Sequence, residues 1–359
     1  CRSLRRCRIH CWNIDRCAFI GTTPFTGNTV LRAGGPALLG TTNCRVTNCY
    51  FERTQCGFGG LGESVDGALF ENNIGVNVND FLVSAVGGVT ADRHVRNVQI
   101  LNNQVYGILG TGIIFVGADG ESSTIDQVEN VLIAGNTFYG DPEEPPSSLR
   151  TFIVIISGVE TRNVTVTDNI LAYQDETHAV SSRGVYFSQT EFTTLVENVN
   201  ISDNTFTPLG SAAAEAIYVT ASLNRSSICD NIIEGCRGIF ITNPQDCTIA
   251  RNNVDGTGQT LFITATLRDV ERVRVLDNVF STEPAFQNAI ALQSDADFDI
   301  EVDIERNQLS SLLGNALTFV PNATGIAQIT FIDNELLAGT LDAGAEASLI
   351  FARDNAGYP

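Results

Sequence analysis

At 359 residues, the chain is long enough for two ordinary domains or for one elongated body of repeats. Aspartate and glutamate total 41 against 21 basic residues, all of them arginine, so the formal net charge is −20. Such a field repels nucleic acid and anionic membranes, and it repels acidic polysaccharides unless divalent cations bridge them. No apolar run approaches the roughly 18 residues of a membrane span. The absence of lysine excludes any mechanism that needs a lysine base.

Cysteine is concentrated at the start of the chain. Segments 7–19 and 44–58 align with each other, which predicts that their cysteines stack at equivalent places in successive repeats. Three states remain open: buried free thiols, disulfides between stacked cysteines, whose spacing of about 4.8 Å is short enough, and a zinc site using His10, Cys7 and Cys11. The ten cysteines are Cys1, Cys7, Cys11, Cys17, Cys44, Cys49, Cys56, Cys229, Cys236 and Cys247.

One phrase recurs along the rest of the chain: apolar-x-apolar-x-x-Asn-x-apolar, as in residues 162–173 (RNVTVTDNILAY) and 197–208 (ENVNISDNTFTP). Its asparagines lie 21 to 35 residues apart, and self-similarity at that spacing indicates a solenoid. Trp12 and Cys49 are assigned to the corresponding position of the first two repeats. The asparagines are Asn73, Asn103, Asn136, Asn169, Asn204, Asn231, Asn252, Asn278, Asn307 and Asn334, with a weaker instance at Asn355.

Each repeat is predicted to contain two short strands. Apolar residues alternate with polar ones before the asparagine, which is the pattern of a strand. A second run, rich in β-branched and aromatic residues, follows later in the repeat, and Gly, Asp, Thr, Ser and Pro between the runs indicate turns. The second runs are residues 112–116, 184–188, 216–220, 238–242, 260–264, 289–293 and 316–320.

Two roles are predicted for the repeated asparagine. A tight corner between strands needs a residue with left-handed backbone, which asparagine tolerates better than most residues. Its amide can also bond to the same amide in the coils above and below, forming an internal ladder. A leucine-rich-repeat horseshoe is the alternative fold, but the mixed Val, Ile, Phe and Leu and the strand-like return segments disfavour it.

The repeat, from about Cys7 to about Ala352, resembles the right-handed parallel β-helix of the pectate-lyase-like superfamily. The resemblance implies an all-β solenoid of roughly a dozen coils with an internal asparagine ladder and a core of stacked Val, Ile, Leu and Phe. We expect residues 1–359 to form a single domain, with Cys-rich first coils (1–60), coils with longer loops (61–200) and short-loop coils (201–359). Both ends resemble coils in progress, and the absence of methionine indicates a piece of a longer chain or assembly.

In this superfamily, substrates usually lie along a lateral groove formed by one parallel sheet and its bordering loops. The loop at 173–184 carries the best catalytic ingredients of the chain, Asp175, His178 and Arg183, and the loop at 117–127 adds the carboxylates Asp119 and Glu121. A lyase needs a base for the sugar C5 proton and a cation against the carboxylate, roles that His178 or Arg183 would suit. Paired carboxylates would instead serve a glycosidase. Ordinary solvated loops are the simpler interpretation of both segments.

The known active-site phrases of the superfamily do not match. The chain lacks the paired-aspartate, Gly-His-Gly and Arg-x-Lys set of polygalacturonases and the tyrosine-and-aspartate signature of mannuronan epimerases. No cofactor is indicated with certainty. Calcium is the metal that the carboxylates of loop 139–150 (Asp141, Glu143 and Glu144) would suit, although their spacing follows no regular ligand pattern.

Three functions remain. The leading hypothesis is an extracellular or cell-surface β-helix rod, such as a stalk, adhesin or fibre segment, with glycan contacts or self-association through uncapped ends. The first alternative is a polysaccharide lyase or glycoside hydrolase acting in a lateral groove. The second is a carbohydrate-binding module, which aromatic residues exposed along one sheet would distinguish. Tyr106, Tyr139, Tyr173 and Tyr186 are the candidates for that row.

Overall fold

The computed structural model describes residues 13–20, 42–53, 56–59, 65–78, 80–86, 94–108, 113–117, 127–140, 150–157, 160–173, 182–189, 195–207, 215–282, 288–294, 298–312, 314–320, 327–342, 349–353 and 355–356. Within these ranges the chain is a parallel β-solenoid built from three long sheets, A, B and C. Each coil passes through the sheets in that order, and each strand pairs in parallel with its equivalent in the next coil.

The described part of sheet A has 14 strands, that of sheet B 12 and that of sheet C 10. Sheet A contains β1 (Asn13–Asp15), β3 (Thr42–Thr47), β6 (Val65–Glu71), β9 (His94–Leu101), β12 (Gln127–Ala134), β15 (Glu160–Thr167), β18 (Leu195–Ser202), β21 (Leu223–Asn224), β22 (Ser227–Cys229), β25 (Thr248–Ala250), β28 (Val270–Leu276), β31 (Ile300–Glu305), β34 (Ala327–Ile332) and β36 (Leu349–Arg353). Sheet B contains β2 (Ala18–Ile20), β4 (Tyr50–Glu52), β7 (Ile74–Val76), β10 (Gln104–Ile108), β13 (Thr137–Gly140), β16 (Ile170–Tyr173), β19 (Thr205–Phe206), β23 (Ile232–Glu234), β26 (Asn253–Gly256), β29 (Val279–Thr282), β32 (Gln308–Ser311) and β35 (Glu335–Ala338). Sheet C contains β5 (Cys56–Gly59), β8 (Asp80–Val86), β11 (Ile113–Gly117), β14 (Arg150–Ser157), β17 (Ser182–Gln189), β20 (Glu215–Val219), β24 (Arg237–Thr242), β27 (Leu261–Ala265), β30 (Ile290–Ser294) and β33 (Leu317–Val320).

The predicted strands are confirmed, but each coil has one strand more than predicted. The runs before each asparagine form sheet A, and the later aromatic-rich runs form sheet C. Sheet B was missed because its strands are two to five residues long and begin directly after the asparagine, as β16 does after Asn169. Strands on all three sides exclude the leucine-rich-repeat horseshoe, whose coils return through helical segments.

The core lies inside the triangle of sheets and consists of side chains stacked in register. On sheet A, Val98, Val131, Val164 and Val199 follow one another on successive coils, and each is fully buried. Apolar β-branched side chains suit this position because they pack well on a pleated surface that is covered on its inner face. One strand therefore cannot slip by a single residue without turning its apolar set outward.

The asparagine ladder is confirmed along the described chain. The Asn252 carboxamide oxygen accepts hydrogen bonds from the backbone N–H (3.1 Å) and the side-chain amide (2.9 Å) of Asn231. Its own amide donates to the Ile228 carbonyl oxygen (2.9 Å) and to Oδ1 of Asn278 (3.0 Å). The same scheme runs from Asn73 to Asn355, so each buried carboxamide is satisfied on both sides.

The left-handed backbone predicted for the ladder asparagine belongs instead to the residue before it. That residue has φ between 52° and 59° in eleven of these corners, where it is Asn, Asp or Arg, and Gly135 takes the same place with φ of 67°. The sequence prediction was wrong on this point because two adjacent residues share the corner. The first turns the chain, and the second bonds to neighbouring coils. The eleven are Arg16, Asn48, Asn72, Asn102, Asp168, Asp203, Asp230, Arg251, Asp277, Arg306 and Asp333.

The first coils replace asparagine with cysteine. Ala18 lies opposite Tyr50, which places Cys17 against Cys49. The backbone N–H of Cys17 points to the Cys49 sulfur at 3.5 Å, as the N–H of Cys49 points to Oδ1 of Asn73 at 2.9 Å. The assignment of Trp12 to this position was therefore wrong, and Cys17 occupies it. The cysteines with described side chains are free thiols: Cys17, Cys44, Cys49, Cys229, Cys236 and Cys247. His10, Cys7 and Cys11 lie outside the described residues.

A second asparagine row lies in the middle of sheet A on the outer surface. Asn97, Asn130, Asn163 and Asn198 all have left-handed backbone, with φ of 52° to 55°. Each side-chain amide donates to the oxygen of the preceding member at 3.0 to 3.2 Å. The coil-to-coil pairing skips these residues and resumes after them, so the sheet keeps the same register on both sides of the row.

Candidate functional site

The outer face of sheet C carries three parallel rows of side chains across strands β17, β20, β24 and β27. The first row is polar and contains Arg183, Glu215 and Arg237, which lie in register. The second row is aromatic and lies three residues later in each strand. The third row carries hydroxyls, and in it the Thr220 Oγ1 lies 3.0 Å from the Ser188 Oγ. Two consecutive buried residues, Gly184 and Val185 in β17 and Ala216 and Ile217 in β20, interrupt the strand alternation between the polar and aromatic rows. Both rows therefore lie outside, while Val185, Ile217 and their equivalents fill the core.

The aromatic row consists of Tyr186, Tyr218, Phe240 and Phe262. Its ring centroids lie 5.4, 4.7 and 4.8 Å apart in sequence, with adjacent rings tilted by 33° to 39°. All four rings are partly exposed. In-register pairing between successive coils forces this stacking, because equivalent side chains on parallel neighbours are held one strand spacing apart. The row is thus a rigid, partly apolar strip on the surface.

The polar row is an arginine–glutamate–arginine group beside that strip. The Glu215 carboxylate lies 3.4 Å from Nε of Arg183 and 3.7 Å from Nη1 of Arg237. The side chains of Arg183 and Glu215 are 18% and 15% exposed, whereas that of Arg237 is 44% exposed. The Arg183 guanidinium also lies over two rings, with its central carbon 4.0 Å from the Tyr218 centroid and 4.7 Å from that of Tyr186. Arg183 is therefore fixed by a cation–π contact and an ion pair together.

A surface cleft of about 270 Å³ opens between the polar and aromatic rows. Glu215, Arg237 and Gln259 line one side, and Tyr218, Phe240 and Phe262 line the other. The floor is formed by the strands themselves, which approach closely at Gly238. A Cβ atom there would lie 1.9 Å from the Thr260 carbonyl oxygen. The cleft therefore has a rigid base with donors and acceptors on one side and rings on the other.

Burial raises the pKa of the Tyr218 phenol, the nearby Arg183 cation lowers it, and the Glu215 carboxylate raises it further. The raised pKa keeps the phenol protonated well into the alkaline range. Tyr218 therefore faces the cleft as a neutral group that can both donate and accept a hydrogen bond.

Of the predicted catalytic residues, the structure describes Arg183, which pairs with the cleft residue Glu215 but does not itself line the cleft. Asp119, Glu121, Asp175 and His178 lie outside the described residues, as do the loop carboxylates Asp141, Glu143 and Glu144 proposed for calcium. In the described ranges, no three His, Cys, Asp or Glu side chains converge as metal ligands would. The catalytic assignments and the calcium site thus stay predictions.

The predicted aromatic candidates fall on two different sheets. Tyr186 belongs to the row on sheet C, whereas Tyr106 and Tyr139 stack on sheet B with centroids 5.6 Å apart. The side chain of Tyr173 lies outside the part of the chain that the structure describes. Sequence reasoning missed the rest of the site, although a signal was present.

The missed signal is a polar residue followed three positions later by an aromatic one. It occurs at Glu215 and Tyr218, at Arg237 and Phe240, and at Gln259 and Phe262. The same spacing joins Arg183 to Tyr186. Four repetitions in successive coils would have indicated two rows that stack from coil to coil, although strand alternation alone places positions three apart on opposite faces. The asparagine phrase, being more frequent, hid this shorter one.

Comparison with protein-family models agrees with the architecture. The family model described as "Right handed beta helix region" matches residues 88–336. Among solved structures, the A-module of the mannuronan C-5 epimerase AlgE6 of Azotobacter vinelandii is similar, with 12% identity, a TM-score of 0.46 and coverage of 91% of each chain. No curated protein matches the chain. None of the described residues belongs to a helix long and apolar enough to cross a membrane.

The family match spans well over half of the chain and includes strands of all three sheets. The resemblance inferred from the asparagine repeat is thereby confirmed for the fold. The chain belongs to the right-handed β-helix family.

Proposed function

We propose that the protein is a β-helix rod of the cell surface or extracellular space that binds a glycan along the outer face of sheet C. One observation carries this proposal: the strip of four partly exposed aromatic rings that borders a cleft with a polar wall. The carbohydrate-binding hypothesis required such a row on one sheet. The rod supplies the scaffold, and the strip supplies the contact.

The chemistry of the two walls matches that of a sugar. A pyranose ring has apolar C–H faces that pack on aromatic rings, and hydroxyls around its edge that need hydrogen-bond partners. Tyr218, Phe240 and Phe262 offer the apolar surface, while Glu215 and Arg237 offer an acceptor and donors. Because the rings lie one coil apart, an extended chain parallel to the rod axis would meet equivalent groups at each coil.

Rigid strands hold these groups, which favours binding that needs little reorganisation. The Arg183 guanidinium is already engaged by Glu215 and by two rings. Its contacts are those of a structural cation that orders the site. A free cation waiting for a substrate carboxylate would be more exposed. This arrangement supports binding over the lyase role first considered for Arg183.

Replacing ring contacts tests the proposal. Phe240→Ala removes the centre of the strip, and we expect affinity for the recognised glycan to fall by about fivefold or more, since loss of a stacking aromatic side chain costs roughly 1–3 kcal/mol. Affinity electrophoresis against a panel of soluble polysaccharides would find the ligand, and calorimetry would measure the change.

Tyr106→Ala is the matched control. Tyr106 also stacks on a tyrosine and is 37% exposed, but it lies on sheet B. Its removal should leave affinity unchanged. Equal losses in both variants, or no binding of any glycan by the unaltered protein, would contradict the proposed function. Release of oligosaccharides during the same incubation would show that the outer face of sheet C acts in catalysis as well as in binding.

A further inference from the structure

We infer that the cleft on sheet C takes a segment of uncharged sugar residues and that Glu215 determines this specificity by excluding acidic sugars. The inference rests on the proposed function, since it names the class of glycan that the same face accepts. It is carried by the ion pairs of the polar row and by the position of Glu215 within the cleft wall.

The hydrogen-bonding groups of the polar wall alternate. Glu215 offers acceptors, Arg237 offers donors, and the amide of Gln259 offers both. A sugar hydroxyl donates one hydrogen bond and accepts others, so a row of hydroxyls can satisfy such a wall. A carboxylate or sulfate accepts only, and it would leave Glu215 facing another acceptor. The wall is therefore matched to neutral sugars in hydrogen bonding.

Charge works in the same direction. The Glu215 carboxylate lies between two guanidinium groups, 3.4 Å from Arg183 and 3.7 Å from Arg237, and it is only 15% exposed. An acidic sugar reaching Arg237 would stand beside a poorly hydrated carboxylate that shares the same cation. Two carboxylates bound to the same guanidinium lie close together, and their negative charges repel strongly where water is scarce. The net charge of −20 adds a repulsive field at longer range.

Arg237 is the group that a neutral sugar would contact. At 3.7 Å its approach to Glu215 is an ion pair longer than a hydrogen bond, and 44% of its side chain is exposed. Gly258 makes room for it, because a Cβ atom at Gly258 would lie 2.8 Å from the Arg237 Cγ. The guanidinium N–H groups of Arg237 are therefore accessible to a ligand, while the nearby Glu215 carboxylate partly neutralises their positive charge.

The test compares neutral polysaccharides (a glucan, a mannan and a galactan) with two polyuronates (polymannuronate and polygalacturonate). The unaltered protein should bind at least one neutral polymer and bind both polyuronates at least about tenfold more weakly. Glu215→Gln keeps the size of the side chain and removes its charge, so affinity for a polyuronate should rise by about tenfold or more. The double variant Glu215→Gln with Arg237→Gln should lose that gain.

Glu129→Gln is the control for net charge. Glu129 also lies between two arginines, 3.7 Å from Arg96 and 3.8 Å from Arg162, but on sheet A. It changes the net charge by the same amount and should not change polyuronate binding. Circular dichroism would establish that each variant is folded. Should Glu215→Gln not fold, Arg237→Gln alone remains informative, since it should weaken neutral-glycan binding.

The outcomes separate the two proposals. Tighter binding of the unaltered protein to a polyuronate than to any neutral polymer would overturn the specificity inference and leave glycan binding intact. An equal gain in Glu215→Gln and Glu129→Gln would also overturn it, because the effect would then be one of overall charge. No binding to either class would overturn the proposed function itself.

Discussion

At the scale of single residues, two adjacent residues have different roles in each corner between sheets A and B. Asp230, with φ of 59°, turns the chain, and Asn231, which is fully buried, bonds to the coils on either side. The turning residue faces solvent and varies among Asn, Asp, Arg and Gly. From Asn73 to Asn355 the ladder residue does not vary in this way, because a buried carboxamide stack needs a donor and an acceptor at each level.

Asn252 and its neighbour Asn253 provide a direct test of that division. Asn252→Ala removes four side-chain hydrogen bonds, leaves the buried backbone N–H of Asn231 without its acceptor, and takes one donor from the Ile228 carbonyl and one from Oδ1 of Asn278. We therefore expect a loss of at least about 2 kcal/mol of unfolding free energy. Asn253→Ala, at an exposed position on sheet B, should cost less than about 0.5 kcal/mol. Urea unfolding of both variants makes the comparison. Similar losses would contradict a special role for the ladder.

The ladder asparagines could be identified from the sequence because each sits in the same apolar context and does the same work. The turning residue could not, because its requirement is a backbone angle that several residue types meet. Cys17 shows the same limit. Its position became evident only from the pairing of Ala18 with Tyr50, since neighbouring cysteines offered several alignments.

At the scale of elements, the turning residues of the C-terminal coils form alternating ion pairs. Arg251 contacts Asp230 through two nitrogens at 2.7 and 2.6 Å, and Arg306 contacts Asp277 at 2.7 and 3.0 Å. Two-pronged guanidinium–carboxylate contacts of this kind are the strongest class of surface pair. They join successive coils on the outside of the same corners that the asparagine ladder joins on the inside.

Asp277 makes these pairs testable through pH. Its hydrogen bonds to Arg306 lower its pKa, partial burial opposes this, and the Arg306 charge lowers it further. A carboxyl with a lowered folded pKa adds stability above its unfolded pKa of about 3.9, and this contribution is lost as pH falls through the folded pKa.

Asp277→Asn should therefore unfold at a lower temperature than the unaltered protein at pH 7, by an amount worth roughly 0.2–1 kcal/mol for an exposed pair. The difference should shrink below about pH 4 and in high salt. Thermal unfolding from pH 7 to pH 3 measures it, with Asp255→Asn, exposed on sheet B, as the control for lost charge. A difference that stays constant across this range would show that the ion pair is not its cause.

The candidate site, in contrast with the fold, depended on contacts between distant parts of the chain. Arg183 and Glu215 are in contact although they lie 32 residues apart in the sequence. Glu215 and Arg237 are also in contact, but the coil between them is shorter. Since the loops vary in length, sequence spacing alone did not show which charged residues share a row. The register between coils determines which charged residues share a row, and buried residues elsewhere in each coil fix that register.

At the scale of the whole molecule, each coil contacts chiefly the coils before and after it, so the rod is nearly one-dimensional. A coil should then be removable as a unit. Deleting residues 231–251 takes out one coil of 21 residues and joins Asp230 to Asn252, which restores both the turning residue and the ladder. We expect this variant to fold and to unfold cooperatively.

A deletion of equal size in a longer coil gives the control. Residues 279–299 also number 21, but Asn278 and Asn307 lie 29 residues apart, so their removal leaves a fragment that cannot complete a coil. That variant should be insoluble or unfold at a much lower temperature. Circular dichroism and melting curves distinguish the two. Equal damage from both deletions would show that coils are not independent units.

The asparagine ladder also has a direction. From Asn73 to Asn355, each side-chain amide donates to the oxygen of the following coil, so the nitrogens all face the C-terminal coils and the oxygens all face the N-terminal ones. A carboxamide dipole is comparable with that of a peptide group, about 3.5 D. Aligned head to tail, these side chains form an electric dipole along the inner side of the corner between sheets A and B, as peptide groups do along a helix. The protein is therefore polarised along its length, independently of the charges on its surface.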